Sequence, residues 1–116
     1  MTKAYGPFAS QAPVDLGLRW TEGDTVALRW RVLNEDWTQE TYETQVRKGY
    51  SGEIVAEPTI TTELTPEGHT LFTFALSKAE SVTVLHGSQY RWDCQAVGAN
   101  ITLFSGAVEV LKQVTR

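Results

Sequence analysis

A single cysteine, Cys94, stands among the 116 residues, so no disulfide within the chain can staple the fold. Histidine is almost as scarce. His69 and His86 are the two present, and neither has a second ligand type at motif spacing, so no metal centre is expected. Basic residues are outnumbered, ten Lys and Arg against fourteen Asp and Glu, for a formal net charge of −4. That balance argues against a nucleic-acid-backbone binder, which would carry a basic face. No apolar run approaches the roughly 20 residues of a membrane-spanning helix. The opening stretch, MTKAYGPFASQAPVD, has no apolar core of a secretory signal, so synthesis and folding in a cytoplasm are expected. There is no glycine-rich phosphate loop and no serine in a nucleophile elbow. The carboxylate pairs Glu22/Asp24 and Glu35/Asp36 fall in turns, where local hydrogen bonding accounts for them. The expectation is a protein that is not an enzyme and holds no cofactor.

What the chain does have is alternation. Tyr90, Trp92, Cys94 and Ala96 interleave with Arg91, Asp93, Gln95 and Val97, the period-2 pattern of a half-buried strand. Cys94 belongs to that inward row and reads as a small buried side chain. Asp93, on the opposite face, is placed to pair with an arginine of a neighbouring strand. Gly98-Ala99-Asn100 supply a turn, and Ile101, Leu103, Val108 and Val110 start a second strand. Asn100-Ile101-Thr102 spells a glycosylation sequon but reads as a turn asparagine. Ser105-Gly106 interrupts that strand and predicts a bulge or a close approach by another backbone.

Upstream, the same logic yields more strands. Asp15 to Trp20 is a first strand closed by the turn at Thr21-Glu22-Gly23-Asp24. Val26, Leu28, Trp30 and Val32 share one face, with Trp30 large enough to anchor a core. Asn34-Glu35-Asp36 is a turn, and Thr38 to Lys48 is a strand with Tyr42, Thr44 and Val46 on one face. Gly49 to Gly52 breaks it. Ile54 to Leu64 follows as one β-branched strand, in which Pro58 marks a sheet edge or a bulge. Thr65-Pro66-Glu67-Gly68 turns into His69 to Leu76, with Phe72, Phe74 and Leu76 aligned. Ser77 to Leu85 is the one helical segment, with Ser77 and Glu80 spaced as a capping box. Val82-Thr83-Val84 limits it to a turn or two. About seven short strands and one helical turn predict an all-β fold, an antiparallel β-sandwich over residues 14–116. Residues 1–13, with Gly6, Pro7 and Pro13, form an irregular arm.

Four aromatics stand out as candidate interface residues. Tyr5 and Phe8 in the arm either fold back on their own domain or dock on a neighbouring subunit. Trp37 at a loop end and Tyr50 beside Gly49 are candidates for exposure, where they would meet a partner protein or stack on a sugar ring. Alternatively, each covers its own end of the sandwich.

Several segments in order carry a resemblance: the Glu22-Gly23-Asp24 turn with its alternating strand, Thr44-Gln45-Val46-Arg47 ending a strand, and the polar Ser77-to-Leu85 segment. Tyr90-Arg91-Trp92-Asp93 and the last strand with Ser105-Gly106 before Val108 and Val110 complete it. Across about residues 15 to 114 the chain resembles the immunoglobulin-like β-sandwich domains of tailed-bacteriophage virions, in particular baseplate upper protein N-terminal domains and tail-tip collar proteins. The resemblance implies a non-enzymatic structural adaptor of the virion tail, assembled in the host cytoplasm as a homo-oligomeric ring or trimer. Its partners would be other tail or baseplate proteins and fibres. With the residues ending at Arg116, the free-standing collar form is the expected variant. The alternatives are a capsid decoration or head-tail completion protein, and a carbohydrate-binding module that contacts a host-surface glycan through Trp37 and Tyr50.

Overall fold

The alternating rows become two sheets stacked through one aromatic core. The computed structural model describes residues 13–49 and 52–113. The elements in chain order are β1 (Val14–Asp15), β2 (Leu18–Thr21), β3 (Val26–Val32), β4 (Tyr42–Lys48), β5 (Ile54–Ala56), β6 (Thr59–Leu64), β7 (Thr70–Leu76), α1 (Lys78–Ser81), β8 (Gly87–Ala96) and β9 (Ile101–Leu111). The larger sheet runs β1-β9-β8-β4-β5, with β2 also on β9, and the smaller runs β3-β7-β6. The smaller sheet holds β3, then β6 after the sheet switch, and β7, which leads into the helical turn. The larger holds the β8–β9 hairpin, β4 and β5 beside β8, and β1 and β2 beside β9. Two sheets packed face to face in this way make an all-β sandwich.

Burial follows the predicted faces. In β7 the side chains at 70, 72, 74 and 76 are buried and those between them half-buried. Their partners on β3, in the register Val26–Leu76, Leu28–Phe74, Trp30–Phe72 and Val32–Thr70, point the same way. Aromatic rings then bridge the sheets. Trp30 of the smaller sheet meets Trp92 and Phe104 of the larger edge-on, with centroids 5.7 and 5.2 Å apart. Phe74 meets Trp92 at 5.5 Å and Trp20 at 5.5 Å. Offset and edge-to-face pairs at these spacings add to simple area burial, so Trp20, Trp30 and Trp92 act as core.

The predicted helix is Lys78–Ser81, with both halves of the capping box formed. Ser77 Oγ accepts from Glu80 N–H at 3.1 Å, and Glu80 Oε1 accepts from Ser77 N–H at 2.9 Å. Behind it Ser81 is fully buried, and its Oγ accepts from Gly23 N–H at 3.1 Å, tying the β2–β3 turn to this corner.

Two strand assignments need correction. The segment from Ile54 to Leu64 is two strands rather than one. β5 pairs with β4 in the larger sheet and β6 with β7 in the smaller, and the chain crosses between sheets at Glu57-Pro58. The first strand is likewise split, at Leu16-Gly17, and both halves run parallel to β9 rather than antiparallel to a neighbour. Those two splits turn seven strands into nine. In β9, of the two alternatives offered for Ser105-Gly106, the close approach holds at Gly106, and the strand's bulge lies elsewhere. The register slips at Leu103, since Cys94 pairs with Phe104 but Gln95 with Thr102. Leu103 and Phe104 are therefore both buried, as a β-bulge allows. Gly106 is the close approach. A Cβ there would stand 2.3 Å from the Leu16 carbonyl oxygen. The same carbonyl accepts from Trp92 Nε1 at 2.7 Å, and Leu16 N–H donates to Ser105 O at 2.8 Å.

Candidate functional site

Of the four aromatics singled out, Tyr5, Phe8 and Tyr50 lie outside the described residues. Trp37 lies within them and is fully buried, which removes it as an exposed interface or sugar-stacking residue. The cause is local hydrogen bonding. Trp37 N–H donates to Thr70 Oγ1 at 2.8 Å, and Thr70 Oγ1 donates to Glu35 O at 2.6 Å. Indole Nε1 donates to Glu35 Oε1 at 2.9 Å, and the Trp37 carbonyl accepts from Tyr42 Oη. Asn34 adopts a left-handed φ of 60°, and its N–H donates to His69 Nδ1 at 3.0 Å. The loop is thereby folded inward, and Trp37 plugs one end of the sandwich. Thr70, itself fully buried, is the residue that holds it, and its position on the core-facing row of β7 was the one signal in the sequence.

The ionisable groups spread out rather than converge. Among the described residues no group of three or more His, Cys, Asp or Glu side chains could hold a metal ion. His86 is exposed and bridges to Glu22, with Nδ1 3.2 Å from Oε2 and its own backbone N–H 2.7 Å from the same oxygen. That backbone donor, foremost, holds the Glu22 carboxyl below its ordinary range, and the His86 side chain adds to it. His69 is half-buried and committed to Asn34. Each histidine thus fastens a loop.

Asp93 and Cys94 sit on opposite faces of β8. Partial burial raises the Asp93 carboxyl, and the Arg47 charge pulls it partly back. Arg47 gives its hydrogen bonds to Gln45 and, at 3.4 Å, to the Gly52 carbonyl. The sequence-based pairing of Asp93 with an arginine is therefore an electrostatic neighbourhood and not a direct bridge. A shallow cavity of about 150 Å³ between Arg47, Arg91, Asp93 and Ser105 lies over this group. Burial pushes the Cys94 thiol up to about 12, against a smaller downward effect of the Thr44 hydroxyl. A thiol with no exposed surface and that acidity is not a nucleophile at neutral pH.

What the architecture does offer is backbone. The smaller sheet has β3 on one side and β6 on the other, each paired on one flank only among the described residues. β6 is Thr59–Leu64, with alternating exposed positions and no proline or lysine inside it. Such edges present unpaired N–H and C=O groups to a further strand. Leu64 at its end and Leu33 after β3 are both exposed.

No protein-family model matches the chain, and a search of curated proteins returns no match.

Proposed function

We propose that this chain is a non-enzymatic structural subunit that acts by binding other protein chains, and that its setting is the virion of a tailed bacteriophage, as a tail-tip or baseplate collar or adaptor. One observation carries the interaction part: a sandwich whose smaller sheet offers, among the described residues, two edge strands paired on one flank, β3 and β6, over a core packed with aromatic rings. Backbone edges are sites for strand addition between subunits. The setting rests on the resemblance of segments between residues 15 and 114. In that role the subunit forms a homo-oligomeric ring or trimer and joins other tail proteins, with no catalytic step.

The carbohydrate-binding alternative loses Trp37, because a sugar ring needs an open aromatic face, while its second residue, Tyr50, lies outside the described residues. The capsid-decoration alternative is separated from the tail reading by position in the particle. The test is mass spectrometry of purified particles of the encoding phage, followed by antibody-gold labelling. The expected result is a stoichiometric protein with label at the distal tail. Label on the head selects the decoration protein, and absence from purified particles refutes both.

A further inference from the structure

The two edges of the smaller sheet match one another. β7 is its middle strand, and β3 and β6 are each antiparallel to it, so β3 and β6 run in the same direction. The registers set level rows across the three strands: Ala27, Ala75 and Thr59; Arg29, Thr73 and Thr61; Arg31, Leu71 and Glu63; Val32, Thr70 and Leu64. The exposed row of β3 is Ala27, Arg29 and Arg31, and β6 exposes Thr59, Thr61 and Glu63. One edge thus presents two guanidinium groups and the other a carboxylate at the same level. Arg31 also acts on Glu67 in its own β6–β7 turn, while Arg29 and Glu63 have no ion pair among the described residues. Both edges end on an exposed leucine: Leu33, directly after β3, at 60% and Leu64, the last residue of β6, at 48%.

We propose that β3 of one copy adds in parallel to β6 of the next, in the register of the sheet itself. Arg31 then stands opposite the neighbour's Glu63, Arg29 opposite its Thr61 and Ala27 opposite its Thr59. This contact deepens the assembly role proposed above and rests on it. The backbone directions fit. A strand residue sends its N–H and C=O to one flank, so each β7 residue bonds either to β3 or to β6. In any level row, when the β3 residue bonds inward the β6 residue therefore points outward, and the reverse. A parallel ladder has that alternation, because a residue that bonds across it is held by the two neighbours of the residue opposite. The side chains fit as well. Glu63 lies opposite Arg31 and diagonal to Arg29, both within reach of long side chains. On the inner row the half-buried Leu28 meets the neighbour's half-buried Ile60, and its Leu64 comes beside Val32 and Leu33.

A second copy is the occupant because one chain carries both halves of the contact and cannot join them by itself. Its own β7 keeps β3 and β6 two strand spacings apart, about 10 Å. Like edges match less well. Two β3 strands paired antiparallel about Arg29 set that residue against its own copy, and like charges directly opposite are destabilising. Two paired β6 strands leave both arginine-bearing edges open. Joining β3 to β6 uses each edge once, and a head-to-tail contact that closes by rotation makes a ring. The larger sheet is wider, five strands across against three, so subunits joined through the smaller sheet splay with that sheet on the inside of the ring.

The test uses full-length variants oxidised with copper–phenanthroline. Opposite residues on neighbouring strands lie about 4.8 Å apart, within disulfide reach, and Cys94 is fully buried and keeps the background low. Mixed Arg31→Cys and Glu63→Cys should give a disulfide-linked heterodimer. The double variant Arg31→Cys/Glu63→Cys should give a ladder of covalent multimers, since its own two sulfurs are too far apart to bridge. A charge exchange is the second measurement: Glu63→Lys should weaken self-association in ultracentrifugation about tenfold or more, and adding Arg31→Glu should restore it. Linkage no greater than when Glu109→Cys, on the outer face of the larger sheet, replaces Glu63→Cys overturns the proposal, and so does a protein that stays monomeric. Dimers from Arg31→Cys alone or from Glu63→Cys alone, at the yield of the mixture, mean that like edges meet and overturn it too. Any of these failures with the protein still found in purified tails refutes this contact and leaves the assembly role standing.

Discussion

Replacing Trp37 by alanine tests whether the Asn34–Thr41 loop is part of the core or an exposed rim. The indole is fully buried, and its backbone N–H and C=O are held by Thr70 and Tyr42 through groups that alanine keeps. The loss is therefore the indole alone: its packing, the cavity it leaves and the bond from Nε1 to Glu35 Oε1 at 2.9 Å. Buried Trp→Ala changes are worth about 3–5 kcal/mol. The Glu35 carboxylate is half-buried and regains water, so the broken bond adds under about 1 kcal/mol. Against a total of roughly 5–15 kcal/mol for a domain of this size, Trp37→Ala removes a large share of stability.

Urea unfolding followed by far-UV circular dichroism is the suitable assay, because deleting one of four tryptophans changes the fluorescence itself. With a slope of about 2 kcal/mol per molar urea, the midpoint falls by about 1.5–2.5 M. Trp37→Phe keeps most of the packing without Nε1 and should lose roughly 1–2 kcal/mol. Glu35→Gln keeps the acceptor oxygen and should lose less than about 1 kcal/mol. A Trp37→Ala loss within about 0.5 kcal/mol of wild type, the signature of a surface substitution, refutes the plug and restores the exposed alternative that the sequence left open.

Three further outcomes follow from particular contacts. Gly106→Ala places a Cβ 2.3 Å from the Leu16 carbonyl, backbone against backbone, so a loss of at least about 2 kcal/mol is expected. Faster amide exchange confined first to β1 and β2 should accompany it, and an unchanged melting curve would refute the close approach. Cys94, fully buried and with its thiol raised to about 12, should react with Ellman's reagent in native protein only at the rate of opening, and at once in urea. Glu22 has a folded pKa below its unfolded value, held there by His86. Its contribution is present above the unfolded pKa and fades as pH falls through the folded one. Glu22→Gln should therefore flatten that part of a stability–pH profile below the usual carboxylate range, and a wild-type-like profile would count against the link.

Local features of this fold were legible and long-range ones were not. The inward row Tyr90-Trp92-Cys94-Ala96 could be read because strand parity is set by adjacent residues. The Ser77–Glu80 capping box could be read because its two bonds span three residues. Trp37 was left open between an exposed rim and its own sandwich end for the opposite reason. Its neighbours Asn34, Glu35 and Asp36 are polar, and the residue that buries it, Thr70, lies 33 positions away. The parallel pairing of β1 and β2 with β9 joins the two ends of the chain, as in Leu18 with Val108, and no short window contains both. At Leu103 the parity of β9 changes, so the apolar positions Ile101, Leu103, Val108 and Val110 signalled that an irregularity was present without fixing which residue carried it.

Pro58 shows how a local rule can be right and still understate its consequence. Its missing N–H predicted an edge or a bulge, and both β5 and β6 are edges. The imino acid acts at the boundary between them. Before it, Ala56 pairs with Val46 in the larger sheet; after it, Thr59 pairs with Ala75 in the smaller. A chain that continued along β4 would have placed a donor opposite Thr44 and closed that side. With proline there the ladder stops, and crossing to β7 becomes the route by which the following β-branched residues recover partners, since buried backbone groups must be paired. One residue thus gives the smaller sheet its third strand and ends the pairing of β5 with β4 at Val46 and Ala56.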